Sequence, residues 1–200
     1  MASDYDGLLP TDCLRLIGPD YALLRPEFSQ RREASMKRRE RSELKRILIS
    51  LGGVDRTNVT GQVLDALAET ALSGDTQLDI IMGASAPYLD EVWQQATCLP
   101  FPATVNVNVS DMAERMYLAD LSIGAAGGTS WERCCLGLPS ILVILADNQV
   151  SGARALESAG AALIIAESEK VRAALPSALI KIEQSGCLQR MSLAAAAITD

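Results

Sequence analysis

The chain has 200 residues, 48% hydrophobic and 22% charged, with a net charge of −7 and no histidine. The absent imidazole excludes a Ser-His-Asp or Cys-His nucleophile pair within this chain, and any His-ligated metal. The acidic balance and an aromatic content of only 4% argue against nucleic-acid binding through phosphate contacts or base stacking.

Residues 1–45 carry no repeating strand–helix pattern. Leu14 to Pro19 reads as a strand and turn, and Arg25-Pro26-Glu27-Phe28 leads into a basic stretch. Eight of the 18 Lys and Arg residues fall between Arg31 and Arg46, and residues 1–46 balance at +2 against −9 for the rest. A charge run of this kind is expected to face solvent on a connecting helix, with an acidic partner as the alternative. The segment is expected to be a connector with no core of its own.

From Arg46 onward one grammar repeats to the end of the chain. Ile47 to Leu51 is a buried strand closed by Gly52-Gly53, and Val63, Leu64, Leu67, Ala68 and Ala71 predict a helix over Thr57 to Leu72. Leu78 to Met82 is a second strand, and Pro87 suits the first turn of a helix to about Ala96. Thr104 to Val107 is a third strand. Asp111 and Glu114 form a capping pattern for a helix to Leu118.

Leu121 to Ile123 is a fourth strand, and Gly127-Gly128-Thr129-Ser130 leads into a short helix carrying Trp131 to Leu136. Ser140 to Leu145 is a fifth strand, apolar from Ile141 onward, as a central parallel strand should be. A helix over Val150 to Ala159 and a strand over Ala162 to Ile165 follow. Ser168 is expected to cap a helix to Ala174, Pro176 to start another to Gln184, and an Ala-rich helix to close the chain near Leu188 to Ile198.

Six strands alternating with helices predict an α/β fold, a doubly wound parallel sheet of Rossmann-like type over 46–200. Ligands of such sheets sit outside the carboxyl ends of the strands at the switch point. The loops that matter are therefore Gly52-Gly53, Asn108, Gly124 to Ser130, and Asp147-Asn148-Gln149.

Glycines after a strand let backbone amides approach an anion, and Thr129 and Ser130 add hydroxyls there. Glu132, one turn on, can accept from a pair of vicinal hydroxyls such as those of a ribose. The plainer reading is a tight turn with Glu132 favoured by the helix dipole. Asn148 and Gln149 present donors and acceptors that suit sugar hydroxyls, or cap the following helix. No G-x-G-x-x-G follows the first strand and no phosphate-binding lysine loop occurs, so no dinucleotide cofactor is expected. No metal site and no catalytic residue is read from the sequence.

Five cysteines without a C-x-x-C motif point to a reducing, cytoplasmic setting. Cys134 and Cys135 read as buried helix residues. The longest nearly apolar run, Leu136 to Ala146, is too short for a membrane span.

Ala119 to Gly124, Ser130 to Ser140 with its T-S-W-E-R-C-C-L-G-L-P run, and Leu145 to Gln149 together carry a resemblance. Tyr21 to Phe28 and Leu51-Gly52-Gly53 extend it. The sequence resembles the C-terminal half of the UDP-2,4-diacetamido-2,4,6-trideoxy-β-L-altropyranose hydrolases of pseudaminic acid biosynthesis. More distantly it is similar to the glycosyltransferase-B member that adds N-acetylglucosamine to lipid-linked muropeptide.

The resemblance implies the UDP-binding lobe of a two-lobed GT-B enzyme. Glu132 would hold the ribose hydroxyls. Thr129, Ser130 and the helix start, with Gly127 and Gly128, would hold the diphosphate. Gly52, Gly53, Asn148 and Gln149 would line the crevice, with Asn108 close to the uracil. The family cleaves the anomeric C–O bond with water and releases UDP and free sugar.

Two departures from the family pattern stand out. Ala126 replaces a glycine of the family's loop, and Gly128 stands where a hydroxyl residue is common. The family's water-activating His belongs to a G-x-G-H motif of an N-terminal lobe absent from this chain. The expectation is a truncated, nucleotide-sugar-binding lobe, inactive alone. The alternatives are a UDP-sugar-dependent glycosyltransferase lobe and a non-catalytic interaction module.

Overall fold

The computed structural model describes residues 14, 16, 18–40 and 43–199. Cys13, Arg15, Ile17 and Asp200 lie outside them, so the strand expected from Leu14 falls partly outside the described residues. A 3-10 turn, Pro19–Tyr21, follows it.

The strands are β1 (Arg46–Ser50), β2 (Gln77–Met82), β3 (Ala103–Val107), β4 (Leu121–Ala125), β5 (Ser140–Val143) and β6 (Ala162–Ile165). They form one sheet in the order β3-β2-β1-β4-β5-β6, and every pairing is parallel. The sequence pattern dictates this burial. Ile47, Leu48 and Ile49 are all fully buried, and successive strand side chains point to opposite faces.

Ile47 and Ile49 join the core under α2 (Val59–Ala68), α3 (Leu89–Thr97) and α7 (Val171–Ile182). Leu48 joins Phe28, Met116 and Leu136 on the other face, under α1 (Pro26–Arg39) and α4 (Met112–Leu118). The same face continues under α5 (Thr129–Cys135) and α6 (Val150–Ser158). The last helix, α8 (Cys187–Ala196), sends Leu188 and Met191 to the first core and Ala195 to the α5–α6 cluster.

β1 and β4 are neighbours, and the chain winds outward in opposite directions from them. Ser50 at the end of β1 lies in register with Gly124 of β4. The switch point, and with it the crevice of such a fold, is therefore at the carboxyl ends of these two strands.

The basic stretch departs from its expected solvent-facing role. Helix carboxyl ends leave carbonyls without intrahelical donors, and α1 brings guanidinium groups to three such ends. Arg32 donates to the carbonyls of Cys135 at 3.0 Å and Ala196 at 2.9 Å. Arg38 reaches the Leu118 carbonyl and Asp120, each at 2.7 Å. Arg39, 1% exposed, donates to the carbonyls of Leu136, Ala119 and Met116 at 2.8–2.9 Å. Arg31 pairs with Glu114. These cations are engaged by the domain itself, which removes the main support for a module that greets an acidic partner. Asp120 also accepts from the Lys45 and Arg46 amides, fastening the chain as it enters β1.

Three local expectations are corrected. Asp111 makes no capping hydrogen bond at α4; it accepts from Arg115 Nε at 2.8 Å, while Glu114 turns to Arg31. Ser168 opens a 3-10 turn without a side-chain cap. Pro176 does not start a helix but lies inside α7, where the missing N–H forfeits one intrahelical bond. Among the described residues no helix is long and apolar enough to cross a membrane.

Candidate functional site

Four loops emerge along the carboxyl edge of the sheet. After β1, Gly52 and Gly53 are exposed. The Gly53 carbonyl accepts from the Gly83 amide at 3.0 Å. A Cβ on Gly83 would come within 2.1 Å of that oxygen, so only glycine permits the β1 and β2 loops to touch here.

The start of α2 is already occupied. Asp55 accepts from the Val59 and Thr60 amides at 2.9 and 2.8 Å, and Asn58 accepts from Gly61 at 3.0 Å. A carboxylate of the chain thus satisfies the amides that dinucleotide-binding folds turn to a pyrophosphate. Neither Asp55 nor Asn58 was anticipated from the sequence; the D-x-x-N-V-T spacing is the signal that could have marked them.

After β3, Asn108 adopts a left-handed conformation with φ of 50°, which asparagine tolerates. Its Oδ1 accepts from the Ala84 amide at 3.1 Å, and its own amide donates to Met82 at 3.1 Å. Asn108 therefore ties the β2 and β3 loops together, two strands away from the switch point.

The β4 loop and α5 form the centre of the site. Gly128 and Thr129 are exposed, and the place of a Cβ on Gly127 lies 3.8 Å from Gln149 Nε2. Gln149 accepts from the Leu145 amide at 2.9 Å, which seats it against the glycine turn. Asp147 and Asn148 are exposed beside it in a 3-10 turn, without capping hydrogen bonds.

Ser130 differs from its neighbours: it is 4% exposed and its hydroxyl points inward beside Cys134 and Ser140. Its amide donates to Gly127 at 2.9 Å. A hydroxyl contact from Ser130 to a ligand would need a rotation out of the core, while Thr129 is exposed.

Glu132, on the fourth residue of α5, keeps 15% of its side chain exposed. Arg25 Nη2 donates to its Oε1 at 3.3 Å. Arg25 also pairs with Glu27 at 3.1 Å and lies over the Phe28 ring. No periodic pattern in the segment before α1 marks it as reaching this carboxylate.

The next residue, Arg133, turns into the sheet. Burial lowers its guanidinium to a pKa of about 10, partly offset by Cys134 and Glu132. Burial likewise pushes the Cys134 thiol up to about 12, which leaves it neutral and inert near pH 7. Among the described residues no group of three or more His, Cys, Asp or Glu converges to hold a metal ion.

Gly52-Gly53, Gly127 to Thr129 and Asn148-Gln149 thus stand on strands adjacent in the sheet, β1, β4 and β5, and share one edge. Glu132 flanks them from α5. Such an edge offers amides, hydroxyls and carboxylates, among them Glu132 and exposed Asp147.

The model of the family described as "Glycosyltransferase family 28 C-terminal domain" matches residues 47–199. The spore coat polysaccharide biosynthesis protein SpsG of Bacillus subtilis is 29% identical over 77% of the chain and 44% of its own length. The UDP-2,4-diacetamido-2,4,6-trideoxy-β-L-altropyranose hydrolase of Campylobacter jejuni is 34% identical over 46% of the chain and 30% of its own length. The chain spans less than half the length of these curated relatives. Among solved structures, MurG of Acinetobacter baumannii superimposes with a TM-score of 0.69 at 20% identity, over 97% of this chain and 54% of that one. That likeness is one of fold.

Proposed function

The chain belongs to the glycosyltransferase family 28 C-terminal domain family, and on that premise we propose that it is the nucleotide-sugar-binding lobe of a two-lobed enzyme, holding a UDP-sugar at the carboxyl edge of its sheet. One observation carries the reading. Glu132, whose side chain keeps 15% of its area exposed, lies on the helix that directly follows the glycine turn after β4. A carboxylate there can accept from both ribose hydroxyls while the turn faces the diphosphate. Gly52-Gly53, Asn148 and Gln149 complete the crevice, and Asn108 braces its far side. Residues 1–45 serve as the link to the other lobe.

The reaction we assign to the complete enzyme is hydrolysis of the anomeric C–O bond. Its support is the 34% identity to the altropyranose hydrolase and the T-S-W-E-R-C-C-L-G-L-P run. With no histidine in this chain, the base that activates water comes from the partner lobe, and this lobe contributes binding. A glycosyltransferase lobe is the second reading, favoured by the family description itself.

Calorimetric titration of the chain with UDP tests the binding. Saturable binding that Glu132→Ala weakens at least tenfold is the expected outcome; ligand at about 100 times its Kd should add about 2.7 kcal/mol of stability. Absence of heat at millimolar UDP would overturn the reading. The complete two-lobed enzyme, assayed for UDP release in water with and without sugar acceptors, separates hydrolase from transferase.

A further inference from the structure

Arg133 sits one residue beyond Glu132 and is 1% exposed. Its Nη1 donates to the Ala125 carbonyl at 3.0 Å, while Nε and Nη2 are buried without a hydrogen-bond partner. Among the described residues no carboxylate pairs with it. A Cβ built on Gly124 would fall 2.2 Å from Nη2 and 2.8 Å from the Ser50 carbonyl oxygen. The guanidinium therefore lies at the carboxyl ends of β1 and β4, against the residues that lead into the glycine turn.

A buried cation with two idle donors is unfavourable unless an anion compensates it. The chain's own anions do so only in part: Asp55 is engaged by the α2 amides, and Glu132, which offsets some of the charge, also pairs with Arg25. Arg56, in the loop after β1, is also cationic but exposed, where water screens its charge. Arg133 is held in low dielectric, where its field is strong, fixed and needs no reorganisation.

We propose that Arg133 is a positioning residue for the diphosphate of a bound nucleoside diphosphate, compensating its negative charge from the carboxyl ends of β1 and β4. The inference rests on the nucleotide-binding reading above. Arg133 acts through its field and through the Ala125 carbonyl it holds, with Gly124 small enough to let it approach the strand ends.

The test is titration of wild-type chain, Arg133→Met and Arg133→Gln with UDP, UMP and uridine, alongside melting of the ligand-free proteins. Removing the charge should weaken UDP by about tenfold or more, UMP by less, and uridine by under about twofold. Ligand-free Arg133→Met should melt no lower than wild type, because an incompletely compensated buried charge is gone. Arg133→Gln keeps a donor for Ala125 and repeats the test should the Met variant not fold. Unchanged UDP affinity, or equal losses for UDP and uridine, would overturn the proposal. So would failure of both variants to fold, which would make Arg133 a residue of the scaffold. If wild type binds no UDP, the nucleotide reading itself fails; if wild type binds and the variants bind equally, only this inference does.

Discussion

Arg25 and Glu132, 107 residues apart in sequence, are joined by a hydrogen bond of 3.3 Å that links the start of α1 to the first turn of α5. Arg25 is half exposed and shared with Glu27, so the pair contributes at most about 1 kcal/mol to stability. Its consequence is orientation: it holds the carboxylate that we assign to the ribose. Arg25→Ala should leave the melting temperature nearly unchanged and lower the preference for UDP over 2′-deoxy-UDP several-fold. A variant with its preference intact would show that Glu132 is oriented without Arg25.

Arg39 is the most demanding contact of α1. It closes three carbonyls at the ends of α4 and α5, and burial lowers its pKa to about 9, reinforced by Arg38. Truncation would take the Arg39 donor from the Met116 carbonyl, while Leu136 keeps Ser35 Oγ and Ala119 keeps Arg38. Arg39→Ala is expected to cost about 1–3 kcal/mol in urea unfolding. Arg31→Ala, which loses a partly exposed pair with Glu114 and a contact over the Tyr117 ring, should cost no more than about 1 kcal/mol. Equal effects for the two variants would contradict a docked α1.

Gly83 and Gly124 test the strand ends. A methyl group on Gly83 meets the Gly53 carbonyl, and one on Gly124 meets Arg133 and the Ser50 carbonyl. Backbone oxygens cannot step aside as a flexible side chain would. Each alanine variant should lose about 1–3 kcal/mol by overpacking and weaken UDP further than Gly74→Ala, where a methyl group meets nothing within 4 Å. Gly83→Ala with wild-type stability would mean that the two loops do not touch in solution.

Strands β1 and β5 were legible because a parallel strand buried on both faces writes an unbroken apolar run, as in Ile47-Leu48-Ile49 and Ile141-Leu142-Val143. The glycine turn after β4 was legible for a related reason, since punctuation between strand and helix is local. Contacts made across the chain were not. Asp111 and Glu114 have the spacing of a capping box, yet Arg115 and Arg31 outcompete the backbone amides for them. The basic run reads as solvated because nothing in a linear charge pattern reveals that helix ends supply carbonyl acceptors. Pro176 reads as a helix start, whereas packing of Leu175, Ala178 and Leu179 outweighs the single bond it forfeits. Glu132 could be placed at the start of α5 by spacing, but its partner Arg25 comes from a segment with no periodic signal.

Cys134 offers a check on burial that needs no ligand. Its thiol ionises near 9.0 when unperturbed, and burial pushes it up to about 12 in the folded chain. Between those values the unfolded chain sheds a proton that the folded chain keeps, so stability falls as pH rises through that window and is constant below it. At pH 10 the loss should be on the order of 1 kcal/mol, read as the difference in urea midpoint from pH 7.5 and reduced by that amount in Cys134→Ala. Iodoacetamide at pH 8 should label exposed Cys98 first and reach Cys134 only through unfolding. Native Cys134 labelled as fast as Cys98 would mean that α5 opens readily, and the fixed grip proposed for Glu132 and Arg133 on that same helix would fall with it.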